Sequence, residues 1–484
     1  MLTARSKFLS WQAPVIGLFA LFFGLLLAFF SRFSGQWMVL LSLALAFPFV
    51  ALISGNVRRF LLFSLCFTLP IQIDVNFIHL FEEQAGASTM GVALRDIFVL
   101  LMLGYGIIQS AKKTVKPAKF YTALAFPAVL YFEAALLSLL WAPRLDLATL
   151  ELVQMAKVML LFWVVAYQLQ DQRDLELCCW ALALALGGQS LIALMQYISG
   201  NTLGLAFLGE MQIEGEMVTS LQRVGGTLGH PNRLSWFLEI LLPLTLGLVL
   251  LARTRIAWYT ALVSFILGCS AMILTGSRGG WISTLVALTF FMVIAVKCHR
   301  MQSRQVFQLA LFSAVVLVIV SFLFTEQLEN RIFGDDHGSA MGRIPTFQIA
   351  FNLIQDNPVG GVGINNYAVV MRKYNDTILG MRFSTIRRPV HNMYLLITGE
   401  TGLIGLAAFL FLIFSLVRCL WRSVHSPNMA VSIIAISLLS GILAFLLHGF
   451  VDKHPPGGYP LFYIILALTA VLPEAPAING QNKK

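Results

Sequence analysis

Apolar runs of 16 to 24 residues recur along the chain, each closed by charges or by Gly, Pro or Asn. Runs of that length match the hydrocarbon thickness of a bilayer, so they predict membrane-spanning helices. Fourteen are expected, at about 13–30, 37–54, 60–77, 92–109, 121–141, 152–169, 177–198, 234–251, 256–274, 279–296, 306–324, 393–416, 430–447 and 459–472. The expected fold is all-α and polytopic, with about 12–14 transmembrane helices in a single integral membrane domain over 1–484. The first run lacks a following small-residue cleavage site and reads as a retained helix, not a removed signal peptide.

One polar segment, 325–391, breaks this rhythm. Loops of that length between elements are uncommon and are usually functional. Inside it, Phe347, Ala350, Phe351 and Ile354 recur at helical spacing over 344–355, ending at Asn357-Pro358. Tyr367, Val370, Met371 and Tyr374 repeat the pattern over 365–374, and Gly360-Gly361-Val362-Gly363 joins the two pieces. Two short amphipathic helices on a membrane surface are predicted, with Arg and Lys set for anionic head groups.

Composition agrees with the pattern: 58% of residues are hydrophobic and 12% charged, with a mean hydropathy of +0.81. Soluble domains carry about twice that charged fraction. The net charge of +10 suggests nucleic acid only until the basic residues are placed on the spans. With the N-terminus inside, Arg5, Lys7, Arg58, Arg59, Lys112, Lys113, Lys116, Lys119 and Arg173 fall on the inner side. So do Arg253, Arg255, Lys297, Arg300, Arg304, Arg418, Arg422, Lys483 and Lys484, which makes eighteen. The short outer segments hold seven: Arg32, Arg95, Arg144, Arg223, Arg233, Arg278 and Lys453. The positive-inside rule then puts both termini in the cytoplasm and the long loop outside, and nucleic acid is not an expected partner. The six cysteines show no Cys-x-x-Cys or paired outer spacing, so neither a disulfide framework nor a zinc site is supported.

The outer basic residues run against the bias and are the informative ones. Arg278 sits in Thr275-Gly-Ser-Arg-Gly-Gly-Trp281, a tight turn between two spans, where an arginine costs several kcal/mol without an anionic partner. Arg223 opens Arg-Val-Gly-Gly-Thr-Leu-Gly-His-Pro-Asn232 just before another span. Both are expected to face a polar cavity open to the outside, and only the fold can bring them together. His391 begins a helix as His391-Asn392-Met393-Tyr394, a group that can take a proton or merely satisfy a backbone carbonyl. Asn392 and Tyr394 are candidates for positioning a sugar, and Glu400 for orienting His391 or pairing with an arginine. Arg343, Arg387 and Arg388 are candidate anion contacts, whether to substrate or to lipid.

Other polar groups admit plainer readings. Glu133 and Lys157 are expected to pair with each other, while Glu239 has no evident partner. His448, Asp452 and His454 form a weak candidate metal set with irregular spacing. Asp74, Glu82 and Glu83 make an acidic patch on the second outer loop, though without Asp-x-Asp. Asn375-Asp376-Thr377 fits a glycosylation sequon of the kind that arises by chance.

RVGGTLGHPN (223–232), TGSRGGW (275–281), GRIPTFQIAFNLIQDNPVGGVGINNY (342–367) and HNMYLLITGETGLIG (391–405) resemble, in that order, the bacterial O-antigen ligase and polysaccharide polymerase superfamily. The resemblance covers about 199–450, with 325–391 as the long periplasmic loop; the first seven spans match only in being hydrophobic. It implies a C-type glycosyltransferase-like fold at the periplasmic face of the bacterial inner membrane. The implied reaction moves a glycan from an undecaprenyl-diphosphate-linked donor to an acceptor hydroxyl, with inversion and with no metal or cofactor. The implied acceptor is a glycan, a lipid A core or a protein, so ligase and polymerase both remain open. Arg278 and Arg223 would stabilise the diphosphate, with Arg343 assisting, and His391 would take the acceptor proton. Membrane lipids complete the expected partners. Two competing classes remain: a flippase or exporter of lipid-linked oligosaccharide, and a metal-dependent glycosyltransferase using Asp74, Glu82 and Glu83.

Overall fold

The computed structural model describes residues 42, 55–80, 86–87, 89–111, 123–210, 223–300, 325, 343–377, 389–453 and 456–472. The expected spans at 13–30 and 306–324, and all but Ser42 of 37–54, lie outside these residues.

The described chain is a bundle of thirteen α-helices with one small hairpin. In order these are α1 (Val57–Thr68), β1 (Asp74–His79), β2 (Thr89–Ala93), α2 (Leu94–Ala111), α3 (Ala125–Leu137), α4 (Leu145–Gln168) and α5 (Gln172–Ser199). Then follow α6 (Pro231–Leu251), α7 (Arg255–Leu274), α8 (Arg278–Lys297), α9 (Arg343–Asp356) and α10 (Tyr367–Val370). The chain closes with α11 (Met393–Val424), α12 (Met429–His448) and α13 (Pro460–Val471). Eight of the described helices, α2, α4 to α8, α11 and α12, are long and apolar enough to cross a membrane, and α3 and α13 are shorter apolar helices. The protein is an all-α, multi-pass membrane protein.

The order of burial places the centre. The apolar stretch of α6 is almost wholly enclosed, as is that of α12, and the two helices pack on each other, with α7 and α8 against α6 and α8 against α12. Local sequence sets where α6 starts: His230 is its N-cap and Pro231 its first residue, a position where the missing N–H costs nothing. Thus Arg223 to His230 becomes a tight turn feeding directly into the most buried helix.

The span expected at 60–77 is not one helix. Its helical part stops at Thr68, and although Leu69 keeps helical φ −52° and ψ −41°, Pro70 has no N–H to continue the hydrogen-bond ladder. The alternating, β-branched Asp74–His79 then forms a strand paired antiparallel with Thr89–Ala93, Asp74 opposite Ala93. A helix followed by a strand had the hydropathy of a single span.

In the long outer segment, α9 appears as expected, but its buried face is rotated. Ile349, Ala350 and Leu353 are enclosed while Phe351 is 54% exposed. The second expected helix is shorter, one α turn over Tyr367–Val370 continued by a 3-10 helix over Met371–Thr377. Together they close a small separate core of Ile349, Leu353, Tyr367, Val370, Met371, Val390 and Leu396. The two motifs around it lock together through their backbones. Within α11, Gly402 adopts φ 67° and ψ −171°, breaking the helix. The turn before α10 fills the break: Leu403 N donates to Pro358 O at 2.8 Å and Val362 N to Gly399 O at 2.9 Å.

Candidate functional site

His391 is carried to its place by a helix start and a helix end. Asn392 caps α11, accepting from Leu395 N at 2.9 Å, and its amide donates to Phe450 O at 3.0 Å. Met393 N donates to Gly449 O at 2.7 Å and the Tyr394 hydroxyl to Leu446 O at 2.8 Å. These three bonds dock the first turn of α11 on the last turn of α12. Asn392 and Tyr394, expected to position a sugar, make these structural contacts.

The docking sets His391 Nδ1 3.1 Å from Asp452 Oδ1. Asp452 is nearly enclosed, and its other oxygen accepts from Asn232 Nδ2 at 2.9 Å and Trp236 Nε1 at 3.3 Å. Burial pushes this carboxyl up, but the His391 hydrogen bond and the His448 and His391 charges outweigh it, holding Asp452 well below the usual carboxylate range. An ionised carboxylate only accepts, so a neutral His391 carries its proton on Nδ1 and leaves Nε2 with a free lone pair. That is the arrangement of a general base with an orienting acid.

The network continues to the arginines. Asn232 Oδ1 accepts from Arg223 Nη2 at 2.6 Å, and Arg223 Nε donates to Thr275 O at 2.7 Å. Gly276 follows with φ +59°, and a side chain there would press on the Arg223 guanidinium stem. Arg278 is two residues further, at the first position of α8, with Ser277 as the N-cap. The fold therefore docks Arg223 on the turn that carries Arg278, and Asn232 and Asp452 join Arg223 to His391. Arg343, the first residue of α9, lies near enough for its charge to act at His448, four residues before Asp452. His230 completes the rim. Its Nδ1 accepts from Asn232 N at 3.1 Å, and burial with the Arg223 and Arg233 charges lowers its pKa, favouring the neutral ring that can accept.

Several expectations are corrected. Glu400 does not orient His391; Asp452 does. Glu400 lies instead against the backbone N–H groups of Asn365 and Tyr367, beneath the turn that fills the α11 break. His448 and Asp452 are not paired for a metal: His448 Nδ1 meets Glu239 Oε2 at 2.8 Å, while Asp452 serves His391. His454 is outside the described residues, among which no three potential ligands cluster. Lys157 pairs with Asp96 at 2.5 Å and donates to Gly91 O at 2.8 Å, instead of meeting Glu133. Asp74 sits on β1 with the charges of Arg95, Asp96, Lys157 and Arg233 around it, and burial raises its pKa. Arg387, Arg388, Glu82 and Glu83 lie outside the described residues.

Sequence reasoning missed Asp452 as the partner of His391, and Asn232 and Trp236 as its supports. Spacing gave no signal for it, since Asp452 lies past the end of α12 and 61 residues from His391.

No curated protein matches this chain. Residues 263–410 match the family described as O-antigen ligase, a stretch that runs from α7 through Arg278, Arg343 and His391 into α11. Over that stretch, which is less than half of the chain, this multi-pass membrane protein is similar to the O-antigen ligase family.

Proposed function

We propose that the protein transfers a glycan from an undecaprenyl-diphosphate-linked donor to an acceptor hydroxyl at the periplasmic face of the inner membrane. The observation that carries this reading is the linked set His391–Asp452–Asn232–Arg223, ending on the turn that bears Arg278. A proton acceptor and two permanent cations on one network suit a reaction that loses a proton at one end and gains negative charge at the other.

In this reading His391 Nε2 takes the acceptor's hydroxyl proton as the acceptor oxygen bonds to the anomeric carbon. Attack comes from the face opposite the diphosphate, so the configuration inverts. The bond from the anomeric carbon to the diphosphate oxygen breaks, and its electron pair leaves with the phosphate. Arg278 and Arg223 offset that growing charge with forked N–H donors, and Arg343 adds to the field. Asp452 stabilises the imidazolium that forms without taking the proton.

The helix ends that meet beyond α6 and α8, opposite the His391 site, support the orientation. Arg58, Arg59, Arg253 and Arg300 cluster there, Arg58 and Arg59 on Asp174, Arg253 3.6 Å from Glu176, and Arg300 donating to Ser432 at 2.9 Å. By the positive-inside rule that end is cytoplasmic, which turns the His391 end outward. In this reading 325–391 is the long periplasmic loop of an O-antigen ligase-like region over 199–450.

The test uses purified protein and a lipid-diphosphate-linked glycan with candidate acceptors. Free undecaprenyl diphosphate together with glycan on a lipid A core identifies a ligase. Free lipid with a ladder of longer lipid-linked chains identifies a polymerase. No lipid release with any acceptor, from folded protein, sinks the reading.

A further inference from the structure

Below the catalytic network lies a second one, which the transfer reaction as described does not use. Glu239 on α6 is fully buried, and Oε2 meets His448 Nδ1 at 2.8 Å and accepts from Ser283 Oγ at 2.7 Å. Its Oε1 has no hydrogen-bond partner among the described residues. His448 is also enclosed, and its ring stacks on Trp236 with centroids 4.4 Å apart and planes 6° from parallel. His448 Nε2 lies 3.4 Å from Ser277 Oγ, the cap of α8.

The two layers use the same three helices. On α6, Asn232 lies in the upper layer and Glu239 seven residues, about two turns, below it. At the end of α12, His448 sits one turn before Asp452. On α8, Arg278 belongs to the upper layer and Ser283 to the lower. Trp236 joins the layers directly, stacking on His448 while its N–H donates to Asp452. The fit against α8 leaves no slack: a side chain at Gly279 would strike the His448 ring and Val451.

A buried carboxylate–imidazole pair with one unpaired oxygen is a poor way to stabilise a helix bundle, since apolar residues of similar volume usually do as well or better. What such a pair supplies is direction, because its hydrogen bonds fix the relative rotation of the elements that carry it. We propose that Glu239 and His448 are positioning residues that hold the Ser277–Arg278 turn in register with the His391–Asp452 base. The inference rests on the transfer reading and deepens it.

The experiment follows lipid diphosphate release by wild type and by Glu239→Leu, Glu239→Gln and Ser283→Ala, each also in an Arg278→Ala background. Glutamine with its amide oxygen in the Oε2 position still accepts from both Ser283 and the ring N–H, whereas leucine accepts from neither. Expected are losses in kcat of roughly 30-fold for Glu239→Leu and 3- to 10-fold for Ser283→Ala, against under about 5-fold for Glu239→Gln. In the Arg278→Ala background these losses shrink to within about twofold, because the residue being positioned is gone. A defect that merely loosens the bundle persists in both backgrounds and overturns the proposal. Rates within twofold of wild type for Glu239→Leu do so too. Where Glu239→Leu fails to fold, Ser283→Ala decides alone, and its full activity overturns the proposal. If Arg278→Ala and His391→Ala themselves retain activity, it is the transfer reading that fails, a result separable from failure of the positioning pair.

Discussion

Two regions built from the same family-like motifs do different work. At the His391 end, side chains do the linking: Arg223, Asn232, Asp452 and His391 meet through hydrogen bonds of 2.6 to 3.1 Å. At the Gly402 break, backbone does the linking, as Pro358 O and Gly399 O take the N–H groups of Leu403 and Val362. The first region concentrates unlike charges beside partly exposed groups, an arrangement that costs stability and serves chemistry. The second satisfies polar backbone groups that an apolar setting would leave unpaired, as it must where a helix breaks. Motif residues alone therefore do not mark a reacting site; what distinguishes the two is whether side chains or backbone make the contacts.

The comparison breaks most visibly at the arginines. Arg278→Ala is expected to lower the transfer rate about 10²- to 10³-fold, the usual loss for a donor aimed at developing charge, and Arg223→Ala somewhat less. Rate and thermal midpoint measured together check this, since the midpoint should hardly move. Asp452→Asn keeps shape but removes the charge that favours the productive tautomer, and a roughly 10- to 100-fold loss is expected. The same variant gives a pH signature. Asp452 is held below its unfolded pKa of about 3.9, so the stability it contributes is fully present above that pH and is lost as pH falls through the folded value. The gap in thermal midpoint between wild type and Asp452→Asn should stay flat from pH 8 to about 5 and shrink below about 4.

At the other region the expected response is structural. Gly402→Ala forces an L-residue into φ 67° and ψ −171° and drives its Cβ into Val359 O, costing at least about 1–3 kcal/mol. A lowered thermal midpoint with transfer per folded molecule largely kept would fit; an unchanged midpoint would not. Glu400→Gln is the mildest, keeping the shape under the Asn365–Tyr367 turn, with under about threefold change in rate expected from a group that does not touch His391.

Much of this was legible in the residues. Period and run length found the long helices, because a membrane solvent demands long apolar stretches. Arg278 stood out as a charge placed where charge is costly, and His391 as a titratable group at a helix start. The partner of His391 was not legible, since Asp452 lies 61 residues away and only the docking of α11 on α12 joins them. Nor was the role of Glu400, because a carboxylate beneath backbone N–H groups has no signature in spacing. Hydropathy failed at 60–77, where a helix and the start of a strand share one largely apolar run and Pro70, Gln72 and Asp74 mark the change.

The central claim is that His391 removes the acceptor's proton while the arginines hold the donor. The direct measurement compares wild type with His391→Ala in two assays on the same purified protein: binding of the lipid-diphosphate-linked glycan, and its transfer under single-turnover conditions. Donor affinity within about threefold of wild type and a transfer rate reduced roughly 10²- to 10⁴-fold are expected of His391→Ala. Transfer at the wild-type rate by His391→Ala, or a loss explained wholly by weaker donor binding, would contradict the claim.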